Sequence, residues 1–155
     1  MIVDTREQSE LVFALRPPVT GIVHRALEVG DYAVEFEDGL VPPIRFERKS
    51  LGDLYGTMTS GYPRWKRLMQ RAQAAKLDLW LLVEEPLRTV WAGTPHSTWS
   101  GDSMLAKLFT LQVRYRLPII FCQDRGEMAR WIVEYASAVG REWVVQRQRV
   151  QRKVR

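Results

Sequence analysis

The chain has 155 residues, 46% of them apolar, and a formal charge of +5 from 23 basic and 18 acidic side chains. That suits one globular domain with a real core, and neither a membrane span nor a signal peptide is legible. A single cysteine, Cys122, excludes a disulfide framework and a zinc cluster, and His24 and His96 lack metal-site spacing.

Ile2-Val3 reads as a short strand that releases Asp4, Arg6 and Glu7 at its end. Ser9 is expected to cap a short helix through Leu15, stopped by Pro17-Pro18. Residues 19–27 read as extended, and Gly30 bends the backbone into a strand opened by Asp31 and continued by Tyr32, Val34 and Phe36. Asp38-Gly39 marks a turn before the strand of residues 44–49. A first helical turn follows at residues 50–56, with Asp53 facing back to the strand end, and a mobile connection spans 57–62. From Pro63 the stripe Trp65, Leu68, Met69, Ala72, Ala75 predicts a helix. Leu79–Val83 suits a buried strand, and Val90 to Gly101 reads as a loop. Ser100 or Asp102 caps a helix buried through Leu105, Leu108, Leu111 and Tyr115. Pro118–Cys122 is a further buried strand, with Cys122 a small core residue. Met128, Ile132, Tyr135 and Val139 form a last helix ending at Gly140. Strands alternating with helices predict an α/β fold with a mixed central sheet flanked by helices.

Within the strand of residues 44–49, alternation puts Glu47 and Lys49 on one face and Arg48 on the other. Antiparallel pairing with the preceding strand brings Asp31 beside Glu47 or Lys49. Two carboxylates and a lysine meeting at a strand end can hold Mg²⁺ or Mn²⁺ and position a water for phosphodiester attack. Surface ion pairing is the alternative, and such pairs contribute little.

The segments Val3-Asp4-Thr5-Arg6-Glu7, Val29-Gly30-Asp31-Tyr32 and Phe46-Glu47-Arg48-Lys49-Ser50-Leu51-Gly52-Asp53 resemble the nuclease domain of the XPF family of structure-specific endonucleases, which includes the nuclease half of archaeal Hef. The resemblance implies a restriction-endonuclease-like core and a Mg²⁺- or Mn²⁺-dependent enzyme. It makes Asp31 and Glu47 metal ligands and Lys49 the group that orients water. Asp4, Glu7 and Asp53 complete the acidic site, and Arg48 supports it. It also implies branched or junction-containing DNA as substrate, homodimerisation, and a place in repair or recombination. Most relatives add helix–hairpin–helix motifs after this domain and some a helicase before it, and neither is present in these residues.

The basic residues Arg64, Lys66, Arg67 and Arg71, with Gln70, either solvate a core helix or track a phosphate backbone. Trp91 and Trp99 either cover the core or stack on unpaired bases. Arg147, Arg149, Arg152 and Lys153 fall in a basic extension over 141–155, after a nuclease domain over 1–140. That extension is either solvated or a DNA-contacting arm. The reading is a DNA endonuclease with no membrane or nucleotide partner. It is cytoplasmic and nucleoid-associated in a prokaryote or phage, or nuclear in a eukaryote. The alternatives are a non-catalytic DNA-binding scaffold and a nuclease cutting intact duplex.

Overall fold

The computed structural model describes residues 1–16 and 19–153, with side chains through residue 145. Six strands form one sheet: β1 (Ile2–Val3), β2 (Val23–His24), β3 (Tyr32–Ala33), β4 (Ile44–Lys49), β5 (Asp78–Val83) and β6 (Ile119–Phe121). Their order is β2-β1-β3-β4-β5-β6. β3 runs antiparallel to both β1 and β4, whereas β4, β5 and β6 are mutually parallel. The chain thus has a mixed central sheet flanked by helices, a restriction-endonuclease-like α/β core.

Alternation along the strands divides the core in two. Leu79, Leu81, Val83 and Ile119 face one side, where α1 (Leu51–Met58), α2 (Tyr62–Ala74), α3 (Leu87–Ala92) and α4 (Gly101–Tyr115) pack through Leu54, Met58, Trp65, Met69, Val90, Met104, Leu108 and Leu111. Val3, Tyr32, Phe46 and Leu82 face the other, where α5 (Arg125–Lys153) adds Met128 and Ile132. Phe46 on the α5 side puts Glu47 and Lys49 on the side of α1 to α4. The parallel register agrees, pairing Glu47 with Leu81 and Lys49 with Val83.

Five local expectations are corrected. Residues 9–15 form no helix. Leu11 and Phe13 are buried while Val12 and Leu15 are exposed, a period of two that belongs to extended chain. Of residues 19–27 only Val23–His24 is strand, and Pro17-Pro18 lie outside the described residues. The connection expected at 57–62 shrinks to three residues, because α1 runs to Met58 and α2 starts at Tyr62. Residues 87–92 form α3, inside what read as loop from Val90. The last helix does not stop at Gly140 but continues to Lys153. A glycine costs a helix interior only about 1 kcal/mol, too little to end one that packs over several preceding turns.

Candidate active site

The site forms where β1, β3 and β4 release their charged ends. β1 pairs with β3 so that the Asp4 N–H donates to the Asp31 carbonyl at 2.8 Å. β3 pairs with β4 through Tyr32 and Phe46. Asp31 then brackets Glu47: its N–H donates to the Phe46 carbonyl at 2.8 Å, and its Oδ2 accepts from the Arg48 N–H at 2.8 Å. Gly30 makes this approach possible. Its φ of +81° is strained for other residues, and an added Cβ would lie 3.1 Å from both the Arg45 Cβ and the Phe46 carbonyl oxygen.

Glu47 is buried, and its Oε1 accepts from Lys49 Nζ at 2.6 Å. The ammonium also stands 5.7 Å from the centroid of the buried Trp65 ring, so α2 abuts the site. Burial, and then the Glu47 carboxylate, push Asp31 from 3.8 up to about 7, against the pull of the Arg48 N–H and of Lys49. Two carboxylates thus stand side by side with one ammonium to balance them.

Arg48 points to the opposite face, as alternation requires. Its guanidinium bonds Glu7 at 3.1 and 3.3 Å and Glu84 at 2.7 Å, and Glu84 also accepts from Arg125 at 2.8 Å. Arg125 donates onward to Ser9 and to the Glu10 carbonyl. This network fastens segment 7–10 to β4, to the end of β5 and to the start of α5. Its far side is charged and its near side carries the carboxylates.

The expected site residues therefore divide. Asp31, Glu47 and Lys49 meet on one face of the sheet. Asp4 is next to them by backbone, but its carboxylate accepts from Arg6 Nε at 2.8 Å and from the Leu27 N–H at 2.6 Å. Burial raises its carboxyl, and these bonds outweigh burial and leave it below the ordinary value. Glu7 serves Arg48. Asp53 is exposed in the first turn of α1, where Oδ2 accepts from Ser50 Oγ at 2.7 Å and Ser50 caps the helix. Among the described residues, no group of three or more Asp, Glu, His or Cys side chains is disposed to hold a metal. Two carboxylate donors are present at the Asp31–Glu47 pair.

On α2, Arg64, Lys66, Arg67, Gln70 and Arg71 are exposed while Trp65, Met69 and Ala72 are buried. The side chains of Arg147, Arg149, Arg152 and Lys153 lie outside the described residues, although their backbone belongs to α5. Glu84, Arg125 and the placement of Trp65 were not read from sequence. Glu84 had a signal: an acidic residue at the C-terminal end of a buried strand, parallel to one that ends in Glu47-Arg48-Lys49.

Sheet order defines an α/β core of restriction-endonuclease type. The chain belongs to the XPF/ERCC4 family, since the ERCC4 domain model matches residues 3–135. No curated protein matches it significantly. Among solved structures it is similar to XPF from Aeropyrum pernix, with a TM-score of 0.67 and 21% identity over 95% of this chain and 68% of that one. A second structure, of XPF from Aeropyrum pernix in complex with DNA, matches with a TM-score of 0.66 and 20% identity over 91% of this chain and 64% of that one. The chain thus spans about two thirds of each.

Proposed function

We propose that this chain is a Mg²⁺- or Mn²⁺-dependent endodeoxyribonuclease that hydrolyses phosphodiesters in branched or junction-containing DNA, leaving 5′-phosphate and 3′-hydroxyl ends. The observation that carries the reading is the meeting of Asp31, Glu47 and Lys49 at one strand end. A carboxylate pair in which Glu47 is buried, Asp31 partly so, and Asp31 is forced up to about 7 is a site short of positive charge. Mg²⁺ binds through one or two carboxylates and keeps waters and phosphate oxygens for its other positions. Asp31 and Glu47 fit that demand and would hold the ion. When bound, the ion supplies Lewis-acid stabilisation of the charge that develops at the phosphoryl group.

The remaining chemistry belongs to the chain. Lys49, held by Glu47 and the Trp65 ring, presents an ammonium to orient water and offset phosphate charge. The Arg48 N–H fixes the Asp31 carboxylate, and the Arg48 side chain braces the strand from behind. Asp4 and Arg6 hold the Leu27 carbonyl and amide against the site. Exposed Arg64, Lys66, Arg67, Gln70 and Arg71 extend a cationic face from α2, with Arg147, Arg149, Arg152 and Lys153 as a further arm. Phe109 and Val113, four apart on α4 and both exposed, support a homodimer in which a second copy covers them.

A panel of labelled nicked, flap, fork and four-way DNAs, with and without Mg²⁺, tests the reading. Cleavage of branched substrates that vanishes in Asp31→Asn is expected. No cleavage of any member would overturn it in favour of a binding scaffold, and cutting of linear duplex at one sequence would point to a duplex-reading enzyme.

A further inference from the structure

The end of α3 and the start of α4 enclose a hollow that takes no part in the Asp31–Glu47–Lys49 geometry, yet it is tied to the same end of the sheet. α3 begins three residues after Glu84, the partner of Arg48. α1 begins two residues after Lys49, and its Tyr55 hydroxyl donates to the Val90 carbonyl of α3 at 2.9 Å. Trp91 and Trp99 both line the hollow, with Thr94, Ser100 and Asp102, around a volume of about 500 Å³.

Trp91 is 57% exposed and is nonetheless held in place. Its Nε1 donates to Asp102 Oδ1 at 2.7 Å. Its backbone is clamped by α4, because a Cβ built on Gly101 would lie 1.6 Å from the Trp91 carbonyl oxygen. A large apolar ring kept at the surface by two separate restraints is pre-organised to stack, since its ordering cost is met before anything binds. Arg88 stands three residues earlier on the same helix and is also exposed, so a guanidinium and an indole share one side of α3. A ring beside a cation matches what a nucleotide offers, a flat base and its phosphate. Thr94, Ser100 and Asp102 bring polar side chains to the lining, which suits a heteroaromatic base with hydrogen-bonding edges better than an aliphatic protein side chain.

We propose that this hollow takes up one unpaired nucleobase of the substrate, stacked on Trp91, with Arg88 at the adjoining phosphate. The assignment rests on the nuclease reading and gives a single-stranded arm of the substrate a place on α3.

The test is fluorescence anisotropy of the full chain in EDTA, using a labelled forked DNA with single-stranded arms and a fully duplex DNA of matched length. Trp91→Ala should weaken binding of the armed DNA by about 5- to 100-fold, with duplex binding nearly unchanged, and Trp91→Phe should restore most of the loss. Arg88→Ala should weaken binding of the armed DNA and flatten its salt dependence, with duplex binding nearly unchanged. Equal affinity of wild type and Trp91→Ala for the armed DNA would overturn the assignment, as would an equal loss on both DNAs. If wild type binds and cuts branched DNA while Trp91→Ala keeps its affinity, the hollow alone is misassigned. If wild type neither binds nor cuts, the nuclease reading fails and this one with it.

Discussion

At the residue scale, the electrostatic strain concentrates on Asp31. Its folded carboxyl holds a proton up to about 7, against an ordinary value of 3.8. The native state therefore binds more protons than the unfolded chain between those values, and its stability falls as pH rises through that window. Ionised Asp31 opposite Glu47 is a net cost in the cation-free protein. Asp31→Asn keeps an acceptor for the Arg48 N–H and removes that cost. In EDTA at pH 8 the variant should be about 1–3 kcal/mol more stable than wild type by thermal melting, with the difference closing towards pH 4. A variant less stable than wild type at pH 8 would show that the pair is not strained. The same proton competes with a cation. Mn²⁺ affinity, followed by water proton relaxation, should rise about tenfold per pH unit below 7 and level off above it. Cys122 has no such part: burial pushes its thiol up to about 11, so it is an inert core residue.

At the element scale, β4 carries two functions on two faces, and what lies behind it matters as much as what lies in front. Arg48 and Glu7 are nearly sealed, at 9% and 6% side-chain exposure, and Glu84 stands at 13%. Arg48→Ala leaves Glu7 without its cation and Glu84 with Arg125 alone, and should cost about 3–5 kcal/mol in denaturant unfolding. A loss below 1 kcal/mol would mean that solvent already screens the network. The close passage of α3 against α4 is equally specific. Gly101→Ala puts a methyl into the Trp91 backbone and should cost about 1–3 kcal/mol as the helices part. Sequence disclosed β4 well, because alternation alone separates Glu47 and Lys49 from Arg48. It disclosed α2 and α4 through their apolar stripes. It misjudged residues 9–15, where a serine and a following proline pair imitate helix ends, although Leu11 and Phe13 repeat with period two. It passed over α3, since six residues leave too little periodicity to read. Ion pairs between distant segments, such as Arg125 with Glu84, have no local sequence signal at all.

At the scale of the whole molecule, the sheet sorts the chain into a side that carries the proposed active centre and a bracing side. Helices α1 to α4 occupy the first, with the carboxylates, Lys49, the cationic face of α2 and the Trp91 hollow. α5 occupies the second. Among the described residues no helix is long and apolar enough to cross a membrane. On the proposed function, DNA approaching the first side meets exposed arginines on α2. Each phosphate contact removed should lower the slope of log affinity against log salt by about 0.9 for duplex. Arg64→Ala with Arg67→Ala should therefore reduce it by roughly 2, and an unchanged slope would place the duplex elsewhere.

The most direct test is single-turnover cleavage of a labelled forked DNA in Mg²⁺ by wild type, Glu47→Gln and Lys49→Ala, with affinities measured alongside. Wild type should cut, and both variants should bind comparably and fail to cut. Cutting by Lys49→Ala at the wild-type rate would contradict the placement of the active centre at the end of β4.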